Sequence, residues 1–141
     1  MDVLKQLDKV PGIPKKISPR QHSYLDYLTV SGFLIASGLM WNRNRRGAIA
    51  ALINGLFVLG YTPLTDFSGN GERPISFRTH GKLDIIQAGM AAAAPTVLAF
   101  SGKHSKSTLF FRSQAMNEAL VLRMTDFEAA EPADVRLRRA A

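Results

Sequence analysis

The sequence predicts an all-α fold: a four-helix integral membrane protein built from two parallel two-helix repeats. The first observation is a duplication, because residues 17–26 and residues 75–84 share Ile, Ser, Arg, His, Leu and Asp at the same spacing. Such internal similarity indicates repeated structural units. The second observation is that each copy leads into a long stretch without charge. The third is an echo near the end of each copy, Thr65-Asp66-Phe67 and Thr125-Asp126-Phe127.

Composition limits the classes of function. The chain has 141 residues, no cysteine and a net charge of +7. The lack of cysteine excludes disulfides, zinc–thiolate sites, iron–sulfur clusters and thiol nucleophiles. The basic residues flank apolar stretches instead of alternating with aromatic residues, which argues against nucleic-acid binding. The mean hydropathy of −0.01 is low for a membrane protein, so a soluble helical bundle stays open as an alternative.

The first predicted helix runs from Ser18 to Trp41 and has a well-marked start. Ser18, Pro19 and Gln21 follow the capping-box pattern, with proline at the first helical position. At about 1.5 Å per residue this segment is long enough to cross a hydrocarbon core of about 30 Å. The second helix is predicted from about Gly47 to Tyr61. Its small residues permit close packing between helices.

A polar loop is predicted over residues 65–75, because Gly, Ser and Asn cluster there. The third helix is predicted over residues 76–101. It contains Pro95, which should kink it or be tolerated with help from neighbouring helices.

The fourth predicted helix, residues 108–124, carries more charge than the others. Its charged residues are Arg112, Glu118 and Arg123. Ionisable groups are costly inside a bilayer, so this helix either crosses with Glu118 facing other helices or lies on the membrane surface. The duplication favours the crossing, because the second helix needs a counterpart in the second copy.

The pattern divides the chain into five parts. They are a basic juxtamembrane arm 1–16, a first repeat 17–67, a polar linker 68–74, a second repeat 75–127 and a charged flexible tail 128–141. Residues 1–10 fit either a short amphipathic helix, with Val3, Leu4, Leu7 and Val10 on one side, or a solvated tail. Twelve of the 18 Lys and Arg residues lie within residues 1–20, 65–82 and 123–141, which four crossings would place on one side of the membrane. This bias predicts a multi-pass protein of the bacterial inner membrane with both termini in the cytoplasm.

The duplicated segments resemble the SPW-repeat family of small bacterial membrane proteins. Its members look like two copies of a two-helix unit, with a start of the type Ile-Ser-x-Arg-x-His-x-x-Leu-Asp and a Ser-Pro-Trp motif. The resemblance covers about residues 17–127, although the name-giving motif is degraded to Ser37-Gly38-Leu39 and Ala94-Pro95-Thr96. It implies the two-repeat membrane architecture and no established activity. It also implies that the family's polar positions correspond here to His22, Asp26, His80 and Asp84. In the same resemblance, Tyr61, Thr65 and Asp66 fit the end of the family's second helix, and Glu118 occupies the position of a glutamate in its fourth helix.

Two polar pairs could carry chemistry. His22 and Asp26 are four residues apart and therefore share a helix face, and the same holds for His80 and Asp84. A carboxylate beside an imidazole fixes its tautomer and raises its basicity. If the copies pack together, the two pairs and Glu118 could meet at one interface. They would then lock the repeats in register or form a proton, cation or ligand site.

Neither pair has a third ligand at the spacing typical of metal sites, so no metal is predicted. A haem or chlorin bound through a histidine stays open as an alternative. Arg20 and Arg78 occupy equivalent positions in the two copies and are predicted to anchor lipid phosphates.

The sequence therefore predicts a non-catalytic accessory or scaffold subunit that packs against a larger membrane complex or self-associates. It contains no Gly-x-Ser-x-Gly elbow and no phosphate-binding loop. One alternative is a small proton- or ion-linked transporter or channel that uses Asp26, Asp84 and Glu118. Another is a subunit that binds haem or chlorin through His22 or His80. The expected partners are the lipid bilayer and other membrane subunits or a second copy, and not nucleic acid.

Overall fold

Four long helices dominate the computed structural model, which describes residues 3–8 and 11–130, and the all-α prediction is confirmed. The elements in chain order are α1 (Val3–Asp8), α2 (Pro19–Met40), α3 (Arg45–Tyr61), a 3₁₀ turn (Thr62–Leu64), β1 (Thr65–Asp66), β2 (Ile75–Ser76), α4 (Phe77–Val97) and α5 (Ser105–Met124).

Side-chain caps define how α2 and α3 begin. The Gln21 N–H donates to the Ser18 hydroxyl at 3.3 Å and the Ser18 N–H donates to the Gln21 side chain at 2.9 Å. The predicted capping box is thus confirmed. At α3 the Gly47 N–H donates to the Asn44 side-chain oxygen at 3.0 Å. A Cβ at Gly47 would lie 2.4 Å from the Asn44 amide nitrogen, so a larger residue here would displace the capping side chain.

The predicted end of the third helix is wrong, since α4 ends at Val97 and not near residue 101. Ala99 adopts a positive φ of 53°, and a residue in that left-handed region ends a helix. Pro95 lies in the last turn of α4, so the hydrogen bond that its ring removes is lost close to the helix end.

The predicted polar loop contains two short strands that the sequence did not reveal. Strands β1 and β2 pair in parallel, with Thr65 opposite Ile75 and Asp66 opposite Ser76. A matching bridge pairs Ile17 with Thr125. Each pairing joins the start of one copy to the end of the other copy. Two residues are too few to show the alternation by which strands are recognised in a sequence.

The N-terminal segment packs against the end of the bundle. Within α1 the Leu4 side chain is buried in an apolar cluster with Phe77, Leu122 and Phe127, whereas Val3 is exposed. The Ile17 N–H donates to the Met124 carbonyl at 3.0 Å. Of the two alternatives for residues 1–10, the structure therefore contains a helix over Val3–Asp8. Val10 and residues 131–141 of the predicted tail lie outside the described residues.

Side-chain contacts give the direction of α5 against α2. His22 contacts Thr125, Thr29 contacts Glu118, and Phe33 contacts Phe110. Since one number rises as the other falls, the two helices are antiparallel. Asn54 and Gln87 form a polar contact of 3.2 Å between α3 and α4. The fourth predicted helix is thus part of the bundle, and begins at Ser105.

The distribution of side chains differs from that in most soluble bundles, because large apolar side chains are exposed and polar side chains are buried beside the apolar clusters of the interior. Large apolar side chains are exposed along the helices, including Leu28 at 67%, Ile35 at 63%, Leu39 at 76% and Met116 at 74%. Many polar side chains are buried, among them His22, Asp26, Asn54, His80, Asp84, Gln87 and Glu118. Within the described part of the chain, Arg45–Leu64 alone is long and apolar enough to cross a membrane by length and composition.

Candidate functional site

Two histidines and two aspartates form one buried cluster between the copies, here called the His/Asp centre. His22 and Asp26 lie in the first turns of α2, and His80 and Asp84 lie in the first turns of α4. The caps at Ser18 and Ser76 fix where each helix begins and hence where these side chains point. All four residues are buried, and one ligand atom from each lies within 4.8 Å of the other three.

The centre is held together by contacts between the copies. The His22 Nε2 atom lies 3.0 Å from an Asp84 oxygen and 3.3 Å from an Asp26 oxygen. The His80 Nε2 atom lies 3.1 Å from Asp26 and 3.2 Å from Asp84. Each histidine is therefore slightly nearer to the aspartate of the other copy than to the aspartate on its own helix.

The other ring nitrogen of each histidine contacts a threonine hydroxyl. His22 Nδ1 lies 2.9 Å from the Thr125 hydroxyl, and His80 Nδ1 lies 2.9 Å from the Thr65 hydroxyl. Thr125 donates its single hydroxyl hydrogen to the Val121 carbonyl, and Thr65 donates its own to the Tyr61 carbonyl. Both threonine oxygens must therefore accept from the histidines. This assigns a hydrogen to Nδ1 of both His22 and His80.

The aspartates receive further hydrogen bonds from the end of α3. The Tyr61 hydroxyl donates to Asp84 at 2.6 Å, and the Thr62 hydroxyl donates to Asp26 at 3.3 Å. Charge-assisted hydrogen bonds of this kind are among the strongest in proteins. Together with the threonines, they give every member of the centre a partner that holds its orientation.

Aromatic rings cover the centre and exclude water from it. The His22 ring packs edge-on against Phe77 and Phe127, each at 5.4 Å between centroids. The His80 ring packs against Tyr61 at 4.9 Å and Phe67 at 5.1 Å. Electrostatic interactions are strengthened in such a shielded environment.

Glu118 lies on α5, seven residues before Thr125, the residue at the end of this helix that contacts the centre. Its carboxylate accepts a hydrogen bond of 2.7 Å from the Thr29 hydroxyl, and the residue is buried. Among the hydrogen bonds and ion pairs of the described residues, none joins Glu118 to Arg123. The Arg123 Nε atom is itself buried without a hydrogen-bond partner.

The two equivalent arginines have different surroundings. Arg20 is exposed and its side chain donates to the Tyr24 hydroxyl at 3.3 Å. Arg78 is half-buried and forms an ion pair of 3.2 Å with Glu128. Anchoring of lipid phosphates by these two residues stays a prediction.

Asp66 organises the linker after α3. Its carboxylate accepts backbone N–H groups of Gly71 at 2.6 Å, Gly69 at 2.8 Å and Asn70 at 3.3 Å, and the Ser68 hydroxyl at 3.1 Å. Burial alone would raise the pKa of Asp66, but these hydrogen bonds outweigh that effect and hold the pKa below its usual value. Asp66 is thus a local organiser of the loop and not a member of the centre.

The sequence indicates no contact of Thr62, Thr65 or Thr125 with the histidines and aspartates. The signal for the last two was present in the Thr-Asp-Phe echo, since the repeated threonine occupies the equivalent hydrogen-bonding position in each copy.

Comparison of the chain with family models, with curated proteins and with solved structures finds no match.

Proposed function

We propose that this protein is a non-catalytic integral membrane protein, with four crossing helices in two parallel repeats, that serves as an accessory or scaffold subunit in the bacterial inner membrane. The observation that carries the proposal is the exposure of large apolar side chains along the helices together with the burial of polar ones. In water, each large apolar side chain left exposed forgoes about 1.5–3 kcal/mol of burial free energy. A lipid surround removes this penalty, and the buried polar groups are then kept away from hydrocarbon.

Helix lengths fit a crossing. The 22 residues of α2 span about 33 Å and the 20 residues of α5 about 30 Å, against a hydrocarbon core of about 30 Å. By hydropathy alone, Arg45–Leu64 is the single candidate for a membrane span among the described residues, because the other helices contain charged residues. Three of those, Asp26, Asp84 and Glu118, are buried inside the bundle and would not meet lipid.

The matching contacts of the two copies support parallel repeats. Thr65 pairs with Ile75 as Thr125 pairs with Ile17, and His80 contacts Thr65 as His22 contacts Thr125. Two crossings per copy would place both copies in the same orientation, as in parallel repeats around an axis normal to the membrane. The resemblance to SPW-repeat proteins implies the same arrangement.

The lack of cysteine makes this topology directly testable. Single cysteines at Ser68, Asn42 and Lys103, all exposed positions, are labelled in intact spheroplasts with a membrane-impermeant maleimide. We expect the Asn42 and Lys103 variants to react and the Ser68 variant to react only after the membrane is opened. Equal labelling of all three, or release of the chain by carbonate washing, would contradict the membrane proposal.

The accessory role rests on the packing of the interior. The buried histidines and aspartates are engaged with each other, with hydroxyl groups and with aromatic rings. Solubilisation of native membranes in a mild detergent tests this role. We expect a particle larger than one chain, containing either other subunits or further copies of this protein. A particle of one chain alone would refute it.

Proton- or ion-linked transport is a second candidate, favoured by Glu118. This buried carboxylate lies along the bundle from Asp26 and Asp84, with a hydroxyl as its hydrogen-bond donor. Flux through proteoliposomes that is abolished by Glu118→Gln would favour transport over scaffolding. Haem or chlorin binding has less support, because carboxylate oxygens occupy the Nε2 side of both histidines at 3.0–3.3 Å, where a macrocycle would have to lie.

A further inference from the structure

We infer that the His/Asp centre is a binding site for one divalent transition-metal ion, with Zn²⁺ the best match, coordinated by Nε2 of His22 and His80 and by one carboxylate oxygen each of Asp26 and Asp84. The inference concerns the buried centre alone. It stands or falls independently of the membrane topology and of any partner subunit.

The hydrogen bonds at Nδ1 create the need for a cation. Because Thr125 and Thr65 use their hydroxyl hydrogens on backbone carbonyls, both Nδ1 atoms carry hydrogen. In a neutral imidazole with hydrogen on Nδ1, the Nε2 atom carries a lone pair and no hydrogen. Both Nε2 atoms lie 3.0–3.3 Å from carboxylate oxygens, a proximity that is unfavourable unless positive charge lies between them.

Protons give an aligned hydrogen bond at Nε2 to only one of the two histidines. A proton on His22 Nε2 points at Asp84 and makes a hydrogen bond of 3.0 Å. The His80 Nε2 atom is fully buried and has no hydrogen-bond partner, although Asp26 and Asp84 oxygens lie at 3.1 and 3.2 Å. Its N–H direction is therefore aligned with neither oxygen. A metal ion shared by all four side chains satisfies both Nε2 atoms.

The spacing of the four donors matches a small tetrahedral site. Zinc binds imidazole nitrogen and carboxylate oxygen at about 2.0–2.2 Å, which separates neighbouring ligand atoms of a tetrahedron by about 3.3–3.6 Å. The nitrogen–oxygen separations across the centre are 3.0, 3.1, 3.2 and 3.3 Å, with His22 near one oxygen of Asp26 and His80 near the other. With one oxygen taken from each aspartate, the four donor atoms lie within 4.8 Å of one another, so the widest separation has to close by up to about 1 Å to hold the ion.

Charge and outer contacts fit the same ion. Two aspartates balance a divalent cation, so the loaded centre is neutral, as a buried site requires. Ligating histidines donate their second N–H to a fixed acceptor, here Thr65 and Thr125, and ligating carboxylates accept further hydrogen bonds. Two nitrogens and two oxygens in a closed four-coordinate site suit Zn²⁺ better than Mg²⁺ or Ca²⁺, which take more oxygen ligands.

The first test is the metal content of the wild-type protein. The full chain, purified without a polyhistidine tag and without chelators, is analysed by elemental mass spectrometry, then stripped and reloaded with Co²⁺. We expect about one divalent metal per chain and the intense visible bands of tetrahedral Co²⁺. A folded protein without stoichiometric metal and without those bands would overturn the inference and leave a protonated ion-pair cluster.

Variants separate the centre from the surface. Asp84→Asn keeps size and shape but removes an anionic ligand, and we expect Co²⁺ binding to be lost. Thr65→Val should still bind, about 10–100-fold more weakly, because it removes an outer contact of a ligand. His104→Ala is the matched control, since His104 is the third histidine of the chain and lies outside the centre. Binding that depends on His104 and survives Asp84→Asn would overturn the inference.

Discussion

Replacing Thr65 or Thr125 by valine removes one hydroxyl while keeping the shape of the side chain. In Thr65→Val the His80 Nδ1–H loses its acceptor at 2.9 Å and the Tyr61 carbonyl loses a donor at 2.8 Å, in a place without access to water. A buried donor left unsatisfied costs about 1–3 kcal/mol. Valine leaves no cavity, so we expect each variant to lose about this much free energy of unfolding.

The measurement is reversible unfolding in mixed detergent micelles, followed by helical circular dichroism. Thr96→Val is the control, because Thr96 is exposed on α4. The double variant of Thr65 and Thr125 should deviate from the sum of the single changes, since both threonines act on one centre. If both single variants unfold within about 0.5 kcal/mol of the Thr96 control, the assignment of hydrogen to Nδ1 is wrong.

Three further changes test separate features. Gly81→Ala should cost about 1–3 kcal/mol of unfolding free energy, because its Cβ would lie 2.7 Å from the Phe127 ring. Gly89→Ala is the control and should be neutral or stabilising, because a Cβ there has nothing within 4 Å. Equal effects of the two changes would refute the packing argument. Glu118→Gln should keep the stability that Glu118→Ala loses, since glutamine still accepts a hydrogen bond without burying charge, and a glutamine variant as unstable as the alanine variant would contradict this. Asp66→Asn should lower the unfolding free energy at neutral pH, and its difference from wild type should vanish as acid protonates Asp66 at a pH below the usual carboxyl pKa of 3.8. A difference that grows on acidification would refute the sign.

The helices could be predicted because their signals are local. The Ser18 capping box and the uncharged stretches mark where α2 and α3 begin and run. The spacing of His22 and Asp26 on one helix face follows from helix geometry, so each polar pair was visible in the sequence. The duplication further indicated that two such pairs should be equivalent.

What the sequence could not provide was the distance between elements far apart in the chain. The spacing within one copy offered only two ligands, so the metal signal looked weak, whereas packing brings Asp84 to within 3.0 Å of His22. The end of α4 was misplaced because a left-handed Ala99 carries no recognisable sequence signal. The Thr-Asp-Phe echo is visible in the sequence, but its role depends on the geometry of the threonine hydroxyl groups, which only the folded chain reveals.

The exchange of partners between the copies has a consequence for biosynthesis. His22 enters the fold early, yet its Nδ1–H bonds to Thr125, which is synthesised 103 residues later. Until α5 is in place, the first hairpin holds an imidazole and a carboxylate whose partners have not yet been made. Completion of the centre therefore reports that the whole bundle has been synthesised and assembled. A chain cut short before Thr125 would retain an unpaired polar surface, and at the membrane location proposed above such a surface would be costly enough to mark an incomplete product.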